Sequence, residues 1–278
     1  MQSTKWNCKG SNGESIFGNT HLPECDAAGV VLLGHGFKGY KDYGMFPWLA
    51  NKFSTIGFVA HRFNFSHSGM VDGDGPFERE DLFEQATWNT QVEDLQILSE
   101  AFTQENMPLI LFGHSRGGVA TLLAVGRGTV PADGVIALSS PSGCNPFSRE
   151  DQDRLLDDGR LESPSGRTGQ MLYVGKVFLE EQLESPEMHD LQTLLSQTDV
   201  PCLLIHGEDD STVLAESAHR IAENIPNSTV AIITGGDHVF NTQNPFPIDG
   251  EPSQQLQDVW EAIQVWLECS FGSESVPK

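Results

Sequence analysis

A motif that could carry a nucleophile stands near the middle of the chain. The stretch PLILFGHSRGGVATLLAVG, positions 108–126, contains G-x-S-x-G as G-H-S-R-G at positions 113–117. It follows an apolar run and precedes a helix-forming run, the setting in which this pattern makes a sharp turn that presents a serine hydroxyl. Glycines on both sides leave room for the backbone to close the turn. The motif predicts Ser115 as a nucleophile, with a glycine-rich turn devoid of chemistry as the alternative.

An isolated serine hydroxyl is a weak nucleophile, so Ser115 requires a histidine base and a carboxylate that orients the base. The serine motif resembles the nucleophile turn of α/β-hydrolases, and this resemblance implies that the acid follows in the chain and the histidine comes last. The acid loop is expected in VPCLLIHGEDDSTV, and only His219 and His238 follow it. His238 lies in the glycine-rich loop ITGGDHVFN, whereas His219 falls within a helical pattern, so His238 is the predicted base.

The elements that would position these residues alternate along the chain. Short apolar runs bounded by turn residues predict strands covered on both faces; they are Val30–Leu33, Phe58–Phe63, Leu109–Phe112, Val135–Leu138, Cys202–Ile205 and Val230–Ile233. Helical periodicity marks segments near 92–102 and 256–267, and SIFGNTHLP predicts one arm of an antiparallel edge hairpin. The pattern predicts an α/β fold, a mostly parallel central sheet with helices on both faces.

Two further stretches carry a resemblance to a known superfamily. VVLLGHGFKGYKDYGMFPWLANKF and GFVAHRFNFSHSGMVDG, together with the serine motif, are similar to α/β-hydrolases over about residues 14–269. Within that superfamily, the chain resembles cinnamoyl/feruloyl-esterase-like and dipeptidyl-aminopeptidase-like single-domain hydrolases. The resemblance implies the α/β-hydrolase fold with a small inserted lid.

The resemblance also bears on the acid and on the oxyanion hole. The family pattern H-G-x-x-D selects Asp210, while Asp209 stays open because the loop could shift by one residue. Glu208 is a distant third, and a solvated turn capped by Asp210 is the alternative without chemistry. The backbone N–H of Arg116, the residue after the nucleophile, and by resemblance that of Phe37 are the expected donors to the oxyanion.

Residues from about 144 to 199 interrupt the alternation of strands and helices. The segment is polar, broken by proline and glycine, and contains no strand of the core type. The segment is predicted to be an insertion within a single domain that spans residues 1–278, and to form a lid over one end of the sheet. A decoration of the surface is the alternative. Its larger apolar residues could line the lid or form the lid's own core: Met171, Tyr173, Val177, Phe178 and Leu179.

The composition of the chain limits the kinds of partner that it is expected to bind. The chain has 278 residues, with 16 Lys and Arg against 39 Asp and Glu, a formal net charge of −23. Such a charge repels phosphate backbones, so no nucleic-acid partner is expected. The sequence shows neither a signal-peptide pattern nor an apolar stretch long enough for a bilayer, which predicts a cytoplasmic protein without a membrane partner. Five cysteines without a CxxC pair are expected to be free thiols, although a Cys8–Cys25 bridge remains open.

These residues together predict a serine hydrolase that acts on a small-molecule ester or amide. A carboxylesterase is the first choice. An amidase, an exopeptidase-like enzyme or a thioesterase would use the same triad, and a non-catalytic ligand-binding relative is the alternative from another class. The sequence has neither the spacing of metal ligands nor a cofactor fingerprint, so no metal and no cofactor are expected.

Overall fold

A mixed sheet organises the chain. The computed structural model describes residues 3–103 and 107–272. The strands within these ranges are β1 (Thr4–Lys9), β2 (Ser15–His21), β3 (Gly29–Gly34), β4 (Phe58–Asn64), β5 (Leu109–His114), β6 (Gly134–Leu138), β7 (Arg160–Pro164), β8 (Met171–Gly175), β9 (Cys202–Gly207) and β10 (Ser228–Ile233). Eight of them form one sheet in the order β1-β2-β4-β3-β5-β6-β9-β10, and β7 and β8 form a separate antiparallel pair. In the large sheet β2 is antiparallel to β1 and β4, and the remaining neighbours are parallel.

The six predicted strands are confirmed as β3, β4, β5, β6, β9 and β10. The prediction that all six are buried is wrong for β10, which forms an edge of the sheet and is only partly covered. In β3, Val30 and Leu32 pack into the core on one face of the sheet, and Val31 and Leu33 into the core on the other face. A strand covered on both faces must be apolar at every position, which is why these runs were visible in the sequence. The predicted hairpin arm forms β2, and β1 is its partner at the edge of the sheet.

Helices cover both faces of this sheet. They are α1 (Phe46–Thr55), α2 (Glu80–Glu84), α3 (Trp88–Phe102), α4 (Arg116–Gly126), α5 (Arg149–Asp158), α6 (Val177–Glu184), α7 (Leu191–Leu195), α8 (Glu216–Ala222) and α9 (Gln254–Phe271). Residues of α3, α4, α7 and α8 share one hydrophobic core, and residues of α1 and α9 share the other. The predicted apolar face of α9 is buried in full, from Leu256 to Leu267.

The segment from about 144 to 199 contains α5, the β7–β8 hairpin, α6 and α7. A small core of its own joins Leu155, Leu161 and Leu179, whereas Met171 is 42% exposed. Its last helix, α7, packs on α4, because a Cβ atom on Gly126 would lie 3.1 Å from the Cβ of Leu194. The segment therefore begins as a separate layer and ends as part of the helical cover of the sheet.

All five cysteines are free thiols. Cys144 and Cys202 are buried, and burial raises the pKa of each thiol to about 12. Both therefore stay protonated near neutral pH and act as small apolar side chains. Among the helices of the described ranges, none is both long and apolar enough to cross a membrane.

Candidate active site

Ser115 lies at the turn between β5 and α4, in a backbone conformation that few residues other than glycine adopt. Its φ is 53° and its ψ is −120°, a conformation that costs on the order of 1–3 kcal/mol and persists only where the surroundings fix it. The Ser115 N–H donates to the carbonyl oxygen of Leu138, the last residue of β6, at 2.8 Å. A Cβ atom on Gly113 would lie 2.2 Å from the carbonyl oxygen of Gly117. The turn therefore requires a glycine at position 113, which explains the spacing of the motif.

The loops after β9 and β10 bring Asp210 and His238 together. Asp210 Oδ2 and His238 Nδ1 are 2.7 Å apart, whereas Asp209 and Glu208 are exposed. The N–H of Asp209 donates to the carbonyl oxygen of Gly236 at 2.9 Å and ties the two loops together. Of the three carboxylates left open by the sequence, Asp210 is the one that contacts His238.

The carboxylate of Asp210 is buried and satisfied on both oxygens. Oδ1 accepts the N–H groups of Thr212 and Val213 at 2.8 and 2.9 Å, and Oδ2 lies 3.3 Å from Nε2 of His206 as well as close to His238. Burial by itself would raise the pKa of Asp210, but the hydrogen bonds from the two histidines and from the backbone outweigh burial and hold the pKa below its usual range. An ionised Asp210 accepts Nδ1–H of His238, which leaves Nε2 as the basic nitrogen.

Ser115 and His238 border one cavity at the edge of the sheet where the parallel strands end. The His238 side chain is 20% exposed, against 0% for the side chain of Asp210, so a ligand can reach the imidazole but not the carboxylate. Within the described residues, no hydrogen bond joins the Ser115 hydroxyl to the imidazole. Catalytic contacts of this kind often shorten only when a substrate binds.

His114, the residue before Ser115, contacts the loop that carries His238. Its Nε2 lies 2.7 Å from the backbone carbonyl oxygen of His238, and the two ring centres are 4.9 Å apart. Burial lowers the pKa of His114 to about 3, so the ring is neutral and Nε2–H is the donor. The residues around His114 in the sequence give no sign of this contact, because it depends on the path of the loop after β10.

The loop after β3 lies against Ser115. A Cβ atom on Gly36 would lie 3.0 Å from the Cβ of Ser115. The N–H of the next residue, Phe37, donates to no backbone carbonyl in the part of the chain that the structure describes. Arg116 is the first residue of α4, so its N–H has no acceptor inside the helix. Within the described residues, neither of the two amides that the sequence predicts as oxyanion donors has a backbone acceptor.

Two cavities meet at Ser115 and Phe37. The larger has a volume of about 900 Å³, and the smaller, of about 200 Å³, includes His238. Three aromatic side chains line the larger cavity besides Phe37: Trp88, Phe147 and Phe178. Residues 161–164 of the β7–β8 hairpin border the larger cavity and residues 165–167 border the smaller. The segment predicted as a lid thus borders both sides of the serine.

The Arg116 side chain lies among three aromatic rings beside the larger cavity. Its guanidinium carbon is 4.7 Å from the ring centre of Phe178, 4.9 Å from that of Trp88 and 5.5 Å from that of Phe37. Its Nε donates to Oε1 of Gln91 at 2.8 Å. Burial lowers the pKa of Arg116 to about 10, which leaves it charged at neutral pH. This side chain, which the sequence did not indicate, connects α3, α6 and the loop after β3.

Other histidines near the site bind the backbone. His35 Nδ1 donates to the carbonyl oxygen of Gly36 at 2.8 Å, its Nε2 accepts the N–H of Phe65 at 3.3 Å, and burial lowers its pKa to about 4. His206 Nε2 lies 2.8 Å from the carbonyl oxygen of Val213. In the described ranges, no three His, Cys, Asp or Glu side chains come together in a way that could hold a metal ion.

Known proteins resemble the chain in structure but not in sequence. No protein-family model matches it, and no curated protein matches it. Est1E from Butyrivibrio proteoclasticus, solved with ferulic acid bound, superposes with a TM-score of 0.72 at 17% identity, covering 96% of this chain and 100% of that chain. The esterase domain of a Rhodothermus marinus protein gives 0.66 at 20% identity, covering 97% and 99%. Mouse α/β hydrolase domain-containing protein 10 gives 0.68 at 16% identity, covering 97% and 99%.

These likenesses extend over nearly the whole of each chain, and at such identities they define the fold. The chain has the α/β-hydrolase fold, a mostly parallel sheet with helices on both faces, as the sequence predicted. In this fold the nucleophile, acid and base follow one another along the chain. Ser115, Asp210 and His238 have that order and lie in the loops after β5, β9 and β10.

Proposed function

We propose that the chain is a serine hydrolase that cleaves a carboxylic ester through an acyl-enzyme on Ser115. The observation that carries the proposal is the Asp210–His238 pair, with 2.7 Å between Oδ2 and Nδ1, at the cavity that Ser115 borders. A buried carboxylate, a histidine and a serine on a strained turn are the parts of an acyl-transfer site. The likeness to esterases supports an ester as the substrate.

The proposed reaction starts with proton transfer from the Ser115 hydroxyl to His238 Nε2 while Oγ attacks the ester carbonyl carbon. Asp210 holds Nδ1–H and stabilises the imidazolium that forms. The carbonyl oxygen gains the electron pair and accepts hydrogen bonds from the amides of Phe37 and Arg116. When the intermediate collapses, the C–O bond breaks and His238 gives its proton to the departing alcohol. Water then attacks the acyl-enzyme in the same way, which releases the carboxylic acid and restores Ser115.

In the proposed reaction, the two cavities bind different parts of the substrate. Because His238 protonates the departing oxygen, the leaving group must lie on the side of His238, in the cavity of about 200 Å³. The acyl group then enters the cavity of about 900 Å³, which has no contribution from His238 and is lined by Trp88, Phe147 and Phe178. The aromatic part of this wall favours an aryl or medium-length acyl group.

We also propose that 1–278 form one domain in which the segment from about 144 to 199 caps the site. The β7–β8 hairpin and α6 support this role, because both contribute residues to the larger cavity. The contribution of α7 is different, since it packs on α4. The cap that shapes the cavity therefore ends before Leu191.

Ser115→Ala tests the nucleophile. We expect the variant to lose covalent labelling by a fluorophosphonate probe and to lose esterase activity by several orders of magnitude, with the fold retained. Ser196→Ala changes an exposed serine outside the site and serves as the matched control. Labelling of Ser115→Ala at the same peptide would show that the nucleophile is another residue.

The substrate class is tested with p-nitrophenyl acetate through p-nitrophenyl octanoate against an aminoacyl-p-nitroanilide. An esterase with a large acyl cavity should turn over the medium-chain ester fastest and the anilide slowest. A higher kcat/KM for the anilide would redirect the proposal to an amidase that uses the same triad. Loss of both activities in Ser115→Ala connects either result to this site.

A further inference from the structure

Two cationic side chains line the cavity beside His238, although the chain as a whole is strongly negative. The formal net charge of the chain is −23. Lys38 and Arg167 line this cavity, and among the described residues no aspartate or glutamate does. The larger cavity, in contrast, is lined by residues of both charges. The two sides of Ser115 therefore differ in charge.

Arg167 lies in the turn of the β7–β8 hairpin and is held by backbone and aromatic groups. Its Nη1 donates to the carbonyl oxygens of Asp74 and Gly75, both at 2.6 Å. Its guanidinium carbon lies 4.7 Å from the ring centre of Tyr40 and 5.1 Å from that of Phe77. Its Nε is buried and has no hydrogen-bond partner within the described residues. The side chain is fixed in place, and its Nη2 donates one N–H to Sδ of Met70 at 3.3 Å and has a second N–H.

Lys38 reaches the same cavity from the loop after β3. Its Nζ donates to the carbonyl oxygen of Pro164 at 2.7 Å and lies 5.2 Å from the ring centre of Phe37. An ammonium group has three donors, so two remain for a ligand. Burial lowers the pKa of Lys38, because the partly enclosed position disfavours its charge. An anion in the cavity would offset that cost.

Asp237, the acidic residue next to His238, forms hydrogen bonds within its own loop. Oδ1 of Asp237 accepts the N–H groups of Val239 and Asn241 at 2.9 and 2.7 Å, and Asp237 does not line the cavity. The carboxylate of Asp210 is buried behind His238. A ligand in the small cavity would therefore meet the two cations without a competing carboxylate on the cavity wall.

We propose that the small cavity binds a negatively charged leaving group, an alcohol or phenol that carries a carboxylate, through Lys38 and Arg167. The inference rests on the proposed ester hydrolysis, because only that reaction makes the side of His238 the leaving-group side. A guanidinium and an ammonium both donate strong charge-assisted hydrogen bonds to carboxylate oxygens. The field of the whole chain repels anions, so selectivity for one must come from these local groups. A volume of about 200 Å³ limits the leaving group to a small one.

The test uses two esters that differ in charge but hardly in shape, 4-acetoxybenzoate and 4-acetoxybenzamide. The measured quantity is kcat/KM for 4-acetoxybenzoate divided by kcat/KM for 4-acetoxybenzamide. The difference in intrinsic reactivity between the two esters contributes equally to this ratio in every variant. Lys38→Gln and Arg167→Gln each remove one charge from the cavity. Lys52→Gln removes one charge from α1, outside both cavities, and is the matched control. We expect the ratio to fall about threefold to tenfold in either cavity variant and to stay constant in the control.

Equal ratios in the wild type and Lys38→Gln, with both esters turned over, would overturn the proposal. Arg167 also anchors the hairpin, so Lys38→Gln decides the matter if the arginine variant fails to fold. If neither ester is hydrolysed, the proposed function fails. The anion site is then tested by measuring the affinities of 4-hydroxybenzoate and 4-hydroxybenzamide by calorimetry. Tighter binding of the benzoate that weakens in Lys38→Gln supports the site without turnover. Equal binding of the two phenols refutes it.

Discussion

The Nε2 atom of His114 lies 2.7 Å from the backbone carbonyl oxygen of His238, so the residue before the proposed nucleophile holds the loop of the proposed base. In the sheet, β5 and β10 are separated by β6 and β9. The contact therefore joins two strand ends that do not pair with each other. It fixes the distance between the serine turn and the base loop more directly than the sheet can.

His114→Ala should reduce kcat for an ester about tenfold to a hundredfold, because a small displacement of His238 is enough to disturb proton transfer. His219→Ala, at an exposed histidine of α8, is the control and should have no effect. Since burial lowers the pKa of His114 to about 3, the ring stays neutral and the contact persists at every pH above about 5. Unchanged kcat in His114→Ala would show that the base loop holds its position without this contact.

Asp210→Asn and Asp209→Asn separate the two acids that the sequence left open. An asparagine at position 210 keeps the size of the side chain but favours the wrong tautomer of His238, so kcat should fall about 10⁴-fold. Asp209 is exposed, and its replacement should change kcat less than about threefold. Both variants have the same charge, which removes long-range electrostatics from the comparison. The opposite ranking, measured by steady-state kinetics, would assign the acid to Asp209.

Strands buried on both faces could be predicted because their environment leaves a continuous apolar run. Two of the three strands that the sequence did not reveal, β7 and β8, pair only with each other, and each has exposed positions. The third is β1, whose sequence TKWNCK has few apolar residues because it forms the edge of the large sheet. Hydrophobic pattern therefore identifies the centre of the sheet and the apolar edge strand β10, and misses β1 and the hairpin of the insertion.

The sequence likewise indicates some features of the candidate site and not others. Ser115, Asp210 and His238 could be proposed from the sequence because each follows a strand in a loop with a recognisable pattern, and the structure brings Asp210 and His238 into contact. The contacts of the Arg116 side chain could not be predicted from the sequence, since its partners Trp88 and Phe178 come from segments far apart in the chain. Their positions depend on how the insertion folds back on α3. Only the three-dimensional structure contains that information.

Gly36→Ala tests the loop that carries the Phe37 amide. The added Cβ would lie 3.0 Å from the Cβ of Ser115 and 3.2 Å from the carbonyl oxygen of His114, so the loop must shift. A displaced oxyanion donor should lower kcat about tenfold to a hundredfold. In Gly75→Ala, the control, the added Cβ would have no neighbour within 4 Å. Equal kcat values for the two variants would show that the amide of Phe37 takes no part in the reaction.

A buried carboxylate away from the site, Asp94 on α3, connects three parts of the fold. Its Oδ1 accepts the N–H of Ser11 at 2.8 Å and its Oδ2 accepts the N–H of Ser66 at 2.7 Å. The residue is 1% exposed. Burial raises the pKa of Asp94 to about 7, and the hydrogen bonds oppose burial only in part. The carboxyl group therefore binds a proton in the folded chain at pH values where an exposed aspartate has lost it.

Asp94 should make the free energy of unfolding fall as pH rises from about 4 to about 7. In that interval the folded state binds a proton that the unfolded state, with a pKa of about 3.9, has released, so folding is favoured at the acid end. The slope is at most about 1.4 kcal/mol per pH unit and disappears above the folded pKa. The measurement is urea unfolding at each pH for the wild type, for Asp94→Asn and for Asp153→Asn, which removes one charge from an exposed aspartate. The stability of the wild type relative to Asp94→Asn should decrease across the interval, whereas relative to Asp153→Asn it should show no such decrease. A relative stability that stays level or rises would mean that Asp94 is ionised in the folded chain throughout.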